Sequence, residues 1–180
     1  RTDRYGGSVE NRTRLLTEVT AACAAEIGAD RLGVRISPVS TAGDCKDSQP
    51  QALFNRVVDD LAPIGLAYLH VVEGDTGGAR DNLTFDYAAL RARFDGVWMV
   101  NNGYTRQMAM DAVSHGRADL VSFGRLFMAN PDLVRRLTES APLNALMAPD
   151  TFYGGGAHGY TDYPFLDLIS ADALTVAPIG

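Results

Sequence analysis

The chain has 180 residues, 46% hydrophobic and 21% charged, with 18 glycines, 8 prolines and a net charge of -6 at pH 7; that is the composition of one globular domain, and a pI near 4.9 argues against a nucleic-acid surface, which wants a basic stripe. No run approaches the roughly 20 apolar residues of a membrane span, and the start, "RTDRYGGSVENR", has neither the apolar segment of a signal peptide nor an initiator Met. Cys23 and Cys45 make no disulfide framework and no zinc pattern, a usage that fits a reducing cytoplasm.

In chain order, Ser8 is placed to cap a helix from about Val9 to Ile27, with Gly28 as its stop. Its apolar stripe is Leu15, Leu16, Val19, Cys23 and Ile27, which makes Cys23 a core residue. "RLGVRIS" (31–37) reads as a strand ended by Pro38, followed by a polar loop to about Ser48. Pro50 opens a second helix carrying Leu53, Phe54, Val57, Val58 and Leu61, closed around Gly65. "LAYLHVV" (66–72) is continuous enough in apolar residues to be a strand buried on both faces. After a glycine-containing loop, Asp86 caps a third helix through Phe94, and "GVWMVNN" (96–102) contains a third strand. Gly103 breaks it, Thr105 caps a fourth helix to His115, and Gly116 ends that helix. "ADLVSF" (118–123) is the fourth strand, and a short helical stretch opened by Asn130-Pro131 follows.

Strands alternating with helices imply a parallel sheet with helical crossovers. A doubly wound sheet would put a glycine-rich fingerprint after its first strand, but the sequence there is "ISPVSTAG". A (β/α)8 barrel puts its phosphate site in the loops after strands seven and eight. The phosphate-like loops here are the last two, "NNGYT" and "FGRLF". The expected fold is therefore α/β, the C-terminal half (about strands five to eight) of a TIM barrel spanning residues 1–166, since a whole barrel needs about 250 residues.

Three groups of residues carry candidate chemistry. In "NNGYTRQMAM", Asn101 and Asn102 end a strand, and Gly103 lets backbone approach a ligand at a helix start, where free N–H groups favour an anion; a tight turn needing glycine for its geometry explains the same letters. In "SFGRLF", Gly124 allows close approach beside Phe123, and Arg125 offers a planar fork suited to phosphate oxygens; the alternative is an arginine that snorkels to solvent. Strand alternation sends Arg35 away from Val34 and Ile36, towards the barrel interior, where a cation must meet an anion or a strong acceptor. A flavin ring offers one and a carboxylate on a neighbouring strand another.

"RTDRYGGSVENRTRLL", "GVRISP", "LHVVEG", "NNGYT", "FGRLFMANPDLVRRL" and "TFYGGGAHGYTDYP", in this order, resemble the Old Yellow Enzyme family of FMN-dependent ene-reductases, closest to its bacterial N-ethylmaleimide and nitrate-ester reductases. The resemblance implies an FMN barrel in which NADPH or NADH reduces the flavin, and hydride from the flavin then reduces an activated alkene such as an enone, nitroalkene or maleimide. It assigns Arg35 to the flavin ring. Asn102 and Gly103 fall to the first phosphate turn, Gly124 and Arg125 with Phe123 to the second, and Tyr153 to the substrate side, where a plain loop aromatic is the alternative. Asn102 stands where the family often has glycine.

The family's substrate-holding His pair and its proton-donating Tyr lie upstream of "RTDRYGGS", so no catalytic residue falls in this segment. His70 reads as a packed strand residue, His115 as a helix C-terminal residue, and His158 sits in a glycine loop without a role. The apolar stretch 167–180 has no counterpart in the family pattern; it fits a natural extension, an engineered addition or the start of something joined downstream. The expected partners are a small activated alkene and either a complementary N-terminal half-barrel chain or a second copy, with no metal, nucleic acid or membrane. Two other readings remain: a non-catalytic FMN- or phosphate-binding half-barrel that self-associates through exposed edges, and a phosphate-binding aldolase or isomerase using Glu73.

Overall fold

The computed structural model describes residues 1–80, 84–146, 149–153 and 155–168. The chain forms two compact units, one over Arg1–Ser122 and one beginning at Phe123.

The first unit opens with helix α1 (Val9–Ile27), where the Ser8 hydroxyl accepts from the Asn11 N–H and Gly28, at φ 93°, ends the helix. Strands β1 (Gly33–Ile36), β2 (Tyr68–Val72), β3 (Trp98–Asn101) and β4 (Leu120–Val121) follow. Between them run α2 (Pro50–Leu61), α3 (Tyr87–Arg91) and α4 (Arg106–Ser114). All adjacent strands are parallel, and their order in the sheet is their order in the chain. A doubly wound sheet reverses strand order at its switch point; these four strands do not.

Alternation along the strands sorts the two faces. Val34, Ile36, Leu69, Val71, Trp98 and Val100 are buried with Val57, Val58 and Leu61 of α2 and Leu90 of α3. The opposite face carries Arg35, His70 and Met99 in register, and the strands' polar side chains stand on it among apolar ones. Burial of β2 on both faces is only partly realised, because Tyr68 and His70 stay half-exposed while Leu69, Val71 and Val72 are fully buried. The fourth strand is shorter than 118–123, pairing only at Met99↔Leu120 and Val100↔Val121.

The largest departure lies in α1. Its leucine–valine–isoleucine stripe faces solvent, with Leu15, Val19 and Ile27 each about half exposed and Cys23 exposed as well, so Cys23 is not a core residue. The face turned inward carries the buried Thr13 and Thr20. Their hydroxyls are satisfied locally, Thr20 donating to the Leu16 carbonyl at 2.7 Å and Thr13 to Asp60 of α2 at 3.0 Å, so small polar residues are buried without an orphaned group. Periodicity locates a stripe but not what covers it.

In the second unit, α5 (Arg125–Ala129) starts directly after Gly124, and α6 (Leu133–Glu139) follows one short turn later. The helical stretch expected after Asn130-Pro131 is α6, and α5 precedes it; Asn130 terminates α5, its side-chain amide donating to the Leu126 carbonyl at 2.8 Å. Of the apolar stretch 167–180, the short turn Leu166–Leu168 is described, and residues 169–180 lie outside the described residues.

Candidate functional site

Arg35 projects from the polar face of the sheet, as alternation requires, and is exposed while its neighbours Val34 and Ile36 are buried. Its guanidinium donates to Asn101 Oδ1 at 3.3 Å. The ion pairs formed among the described residues do not include it, so no strand carboxylate answers its charge. The Asn101 amide donates in turn to the Ser122 carbonyl and hydroxyl, both at 2.9 Å, and the Ser122 hydroxyl lies 2.9 Å from His70 Nε2. Burial, and then the Arg35 charge, push the His70 pKa down to about 4. His70 is therefore a neutral, hydrogen-bonded strand residue at ordinary pH.

The turn after β3 is built differently from the expectation for Asn102. That residue is buried at φ 105°, and its amide donates to the carbonyls of Glu73 at 2.6 Å and Asp75 at 2.8 Å. The side chain binds two loops together. Gly103 has a φ of 61°, a conformation that favours glycine, and a Cβ there would meet Arg80 Cδ at 3.8 Å, an ordinary van der Waals contact. Thr105 caps α4 by accepting from the Met108 N–H at 3.2 Å.

Glu73 fixes this corner. Its carboxylate takes the Arg80 guanidinium at 2.6 Å and the Tyr104 hydroxyl at 2.7 Å, while Arg80 stacks 3.8 Å from the Tyr104 ring centroid. Burial and the hydrogen bond to Glu73 both raise the Tyr104 pKa. A carboxylate so engaged is a poor general base, which removes the support for an aldolase-type role for Glu73.

In the second unit, Gly124, Arg125, Met128, Phe152, Tyr153 and Tyr160, with Thr161, line a cavity of about 560 Å³. The structure thus brings together three of the sequence-derived residues, Gly124, Arg125 and Tyr153. Phe123 is half-buried and does not line the cavity. Nothing lies within 4 Å of a Cβ built on Gly124, and its φ of -94° is one that any residue adopts, so the backbone here is open and nothing else in the chain demands a glycine. The Arg125 guanidinium is exposed, and no interaction with another described residue engages it. A bare planar cation, an open backbone and aromatic walls fit a ligand that is both anionic and aromatic, as a flavin mononucleotide is.

His115 caps the end of α4 with Nδ1 at 2.8 Å from the Asp111 carbonyl, and His158 pairs with Asp162 at 3.3 Å. Among the described residues no group of three or more His, Cys, Asp or Glu could hold a metal ion, and no helix is long and apolar enough to cross a membrane. Sequence reasoning missed Ser122 and the partnership of His70 with Arg35. Strand register was the available signal, since Arg35 and His70 stand side by side in adjacent strands.

A sheet of sequential parallel strands is what part of a barrel shows. Residues 1–144 match the family model of the NADH:flavin oxidoreductase / NADH oxidase family, and the chain belongs to that family, which includes the Old Yellow Enzymes. It is 44% identical over 182 residues to a putative 12-oxophytodienoate reductase 10 of Oryza sativa subsp. japonica, covering 97% of this chain and 57% of the relative. It is 42% identical over 178 residues to the 12-oxophytodienoate reductase 1 of the same organism, covering 97% and 47%. Among solved structures, morphinone reductase superposes with a TM-score of 0.85 at 42% identity, over 93% of this chain and 45% of that one. The old yellow enzyme from Trypanosoma cruzi gives a TM-score of 0.83 at 35% identity, over 91% and 44%. The chain spans about half the length of the relatives it matches, and its parallel α/β fold is that of a partial barrel.

Proposed function

We propose that this chain forms the flavin-gripping part of an FMN-dependent oxidoreductase that uses NADPH or NADH to reduce activated C=C bonds in enones, nitroalkenes or maleimides. The observation that carries the reading is the unengaged Arg125 beside open Gly124 in an aromatic-walled cavity. Arg125 and Gly124 would hold the phosphate, with Asn102 supporting and Gly103 presenting a second backbone contact. Arg35 would face the ring edge, and Tyr153, 89% exposed, would stand on the substrate side. When bound, FMN supplies the acceptance of reducing equivalents from the nicotinamide and their delivery to the alkene. The chain's own part is to orient the cofactor and place positive charge where the reduced ring becomes negative. The relatives named as reductases of 12-oxophytodienoate and morphinone support this substrate class.

The substrate-holding His pair and the proton-donating Tyr come from a complementary N-terminal half-barrel chain in this reading, while a second copy is the alternative means of closing the sheet. The exposed Leu15, Val19 and Ile27 of α1, and a β1 edge paired on one side only, support such a partner. The free, exposed thiols Cys23 and Cys45, with nicotinamide as the reductant, support a cytoplasmic setting.

The test is NADPH oxidation with 2-cyclohexenone, with flavin absorbance followed on the same sample after removal of free FMN. The expected result is retained flavin with turnover only when the complementary half is supplied. Flavin without turnover in any mixture selects the second reading, a non-catalytic half-barrel that binds FMN or phosphate and self-associates, which the uncovered α1 face also favours. A chain that retains no FMN contradicts both.

A further inference from the structure

On the polar face of the sheet, four side chains, one from each strand or its end, are joined by hydrogen bonds: Arg35, His70, Asn101 and Ser122. The hydrogen bonds at Asn101 have a fixed direction. The Ser122 carbonyl can only accept, so the NH2 end of Asn101 must face it, at 2.9 Å. That leaves Asn101 Oδ1 facing Arg35, whose guanidinium can only donate. The Ser122 hydroxyl accepts from Asn101 at 2.9 Å, and its own proton is left for His70 Nε2 at 2.9 Å. The hydroxyl's second lone pair also admits a proton from Nε2, so the direction of this last bond follows the His70 tautomer, and Nδ1–H is the form that makes His70 the acceptor. The bonds run without a break from His70 at one end to the exposed cation at the other.

We infer that His70 and Ser122 are positioning residues for Arg35, holding its guanidinium through Asn101 over the polar face of the sheet, where the flavin ring would lie. The inference rests on the flavin reading for its purpose, although the hydrogen-bond chain itself does not depend on it. An arginine side chain has many rotamers and loses considerable entropy when held. With Asn101 as its recorded side-chain partner, at the long distance of 3.3 Å, the placement of Arg35 depends on the amide staying in one orientation. Ser122 enforces that orientation with two acceptors. His70 enforces the Ser122 rotamer by being a bare acceptor, and the burial that keeps it neutral maintains this at ordinary pH. Protonation of His70 would turn an acceptor into a donor and force the Ser122 proton elsewhere.

The test uses the full 180-residue chain. Nitrogen NMR of His70 at pH 7 is expected to show the Nδ1–H tautomer, and an Nε2–H tautomer overturns the inference. In Ser122→Ala, proton exchange at the Arg35 guanidinium should accelerate. FMN should bind roughly two- to tenfold more weakly, the effect of losing one neutral hydrogen bond. Inorganic phosphate should bind as in the wild type, and Ser122→Thr, which keeps the hydroxyl, should restore FMN binding. Equal weakening of FMN and phosphate, or unchanged FMN binding, overturns the inference. If the wild type binds no FMN, the flavin reading fails, and Arg35 exchange in Ser122→Ala alone decides this one: acceleration supports it and no change overturns it. Should Ser122→Ala not fold, His70→Phe removes the acceptor at the other end and is read by the same outcomes.

Discussion

Asn102 occupies a backbone conformation that a residue with a Cβ rarely adopts, φ 105°, and it is buried there. Such a conformation costs about 1–3 kcal/mol. The two bonds from its amide to Glu73 and Asp75, at 2.6 and 2.8 Å, offset that cost by tying the loop after β2 to the turn after β3. Asn102→Ala should therefore destabilise the chain by about 2–4 kcal/mol, since it keeps the strain and strands two carbonyls. Asn102→Gly should cost about 1 kcal/mol less, because glycine relieves the strain. Urea unfolding measures both, and equal costs would mean that the strain is absent. The sequence marked Asn102 as a strand end beside a phosphate turn. It could not show that the amide points into the protein, because the partners lie 27 and 29 residues away. Arg35 was legible for the opposite reason, as a lone cation at an alternating position between Val34 and Ile36.

At the scale of elements, the second unit is organised around a buried arginine. Arg136 of α6 is fully buried, pairing with Asp132 at 2.6 Å and donating to the carbonyls of Pro142 at 2.7 Å and Pro164 at 2.9 Å. The Asp132 carboxylate also accepts from the Leu166 N–H at 2.8 Å. Burial opposes the Asp132 charge, but the Arg136 and Leu166 contacts outweigh it and hold the carboxyl below its ordinary range. These bonds fasten both ends of the stretch that carries Phe152, Tyr153 and Tyr160 to the cavity. Arg136→Met should cost about 3–5 kcal/mol, the price of leaving a partly buried carboxylate without its partner. Chemical denaturation checks this, and a cost below about 1 kcal/mol would show that the arginine is replaceable. The caps at Ser8, Asp86 and Thr105 followed from local sequence, since each depends on neighbours within a few residues, and parallel pairing followed from the alternation of strands with helices. The inward face of α1 and the burial of Arg136 did not, because both are set by residues distant in the chain.

For the whole molecule, the four-stranded parallel sheet is that of a partial barrel, and the chain spans about half the length of its relatives. Family membership carries the cofactor class, and the local geometry of Arg125 carries the claim that this chain holds it. The most direct measurement is the dissociation constant for FMN, from quenching of flavin fluorescence, in the wild-type chain and in Arg125→Ala. Loss of a charge-assisted contact of about 1.5–3 kcal/mol predicts roughly 10- to 150-fold weaker binding in the variant. FMN binding that is absent from the wild type, or equally tight without Arg125, would contradict the account.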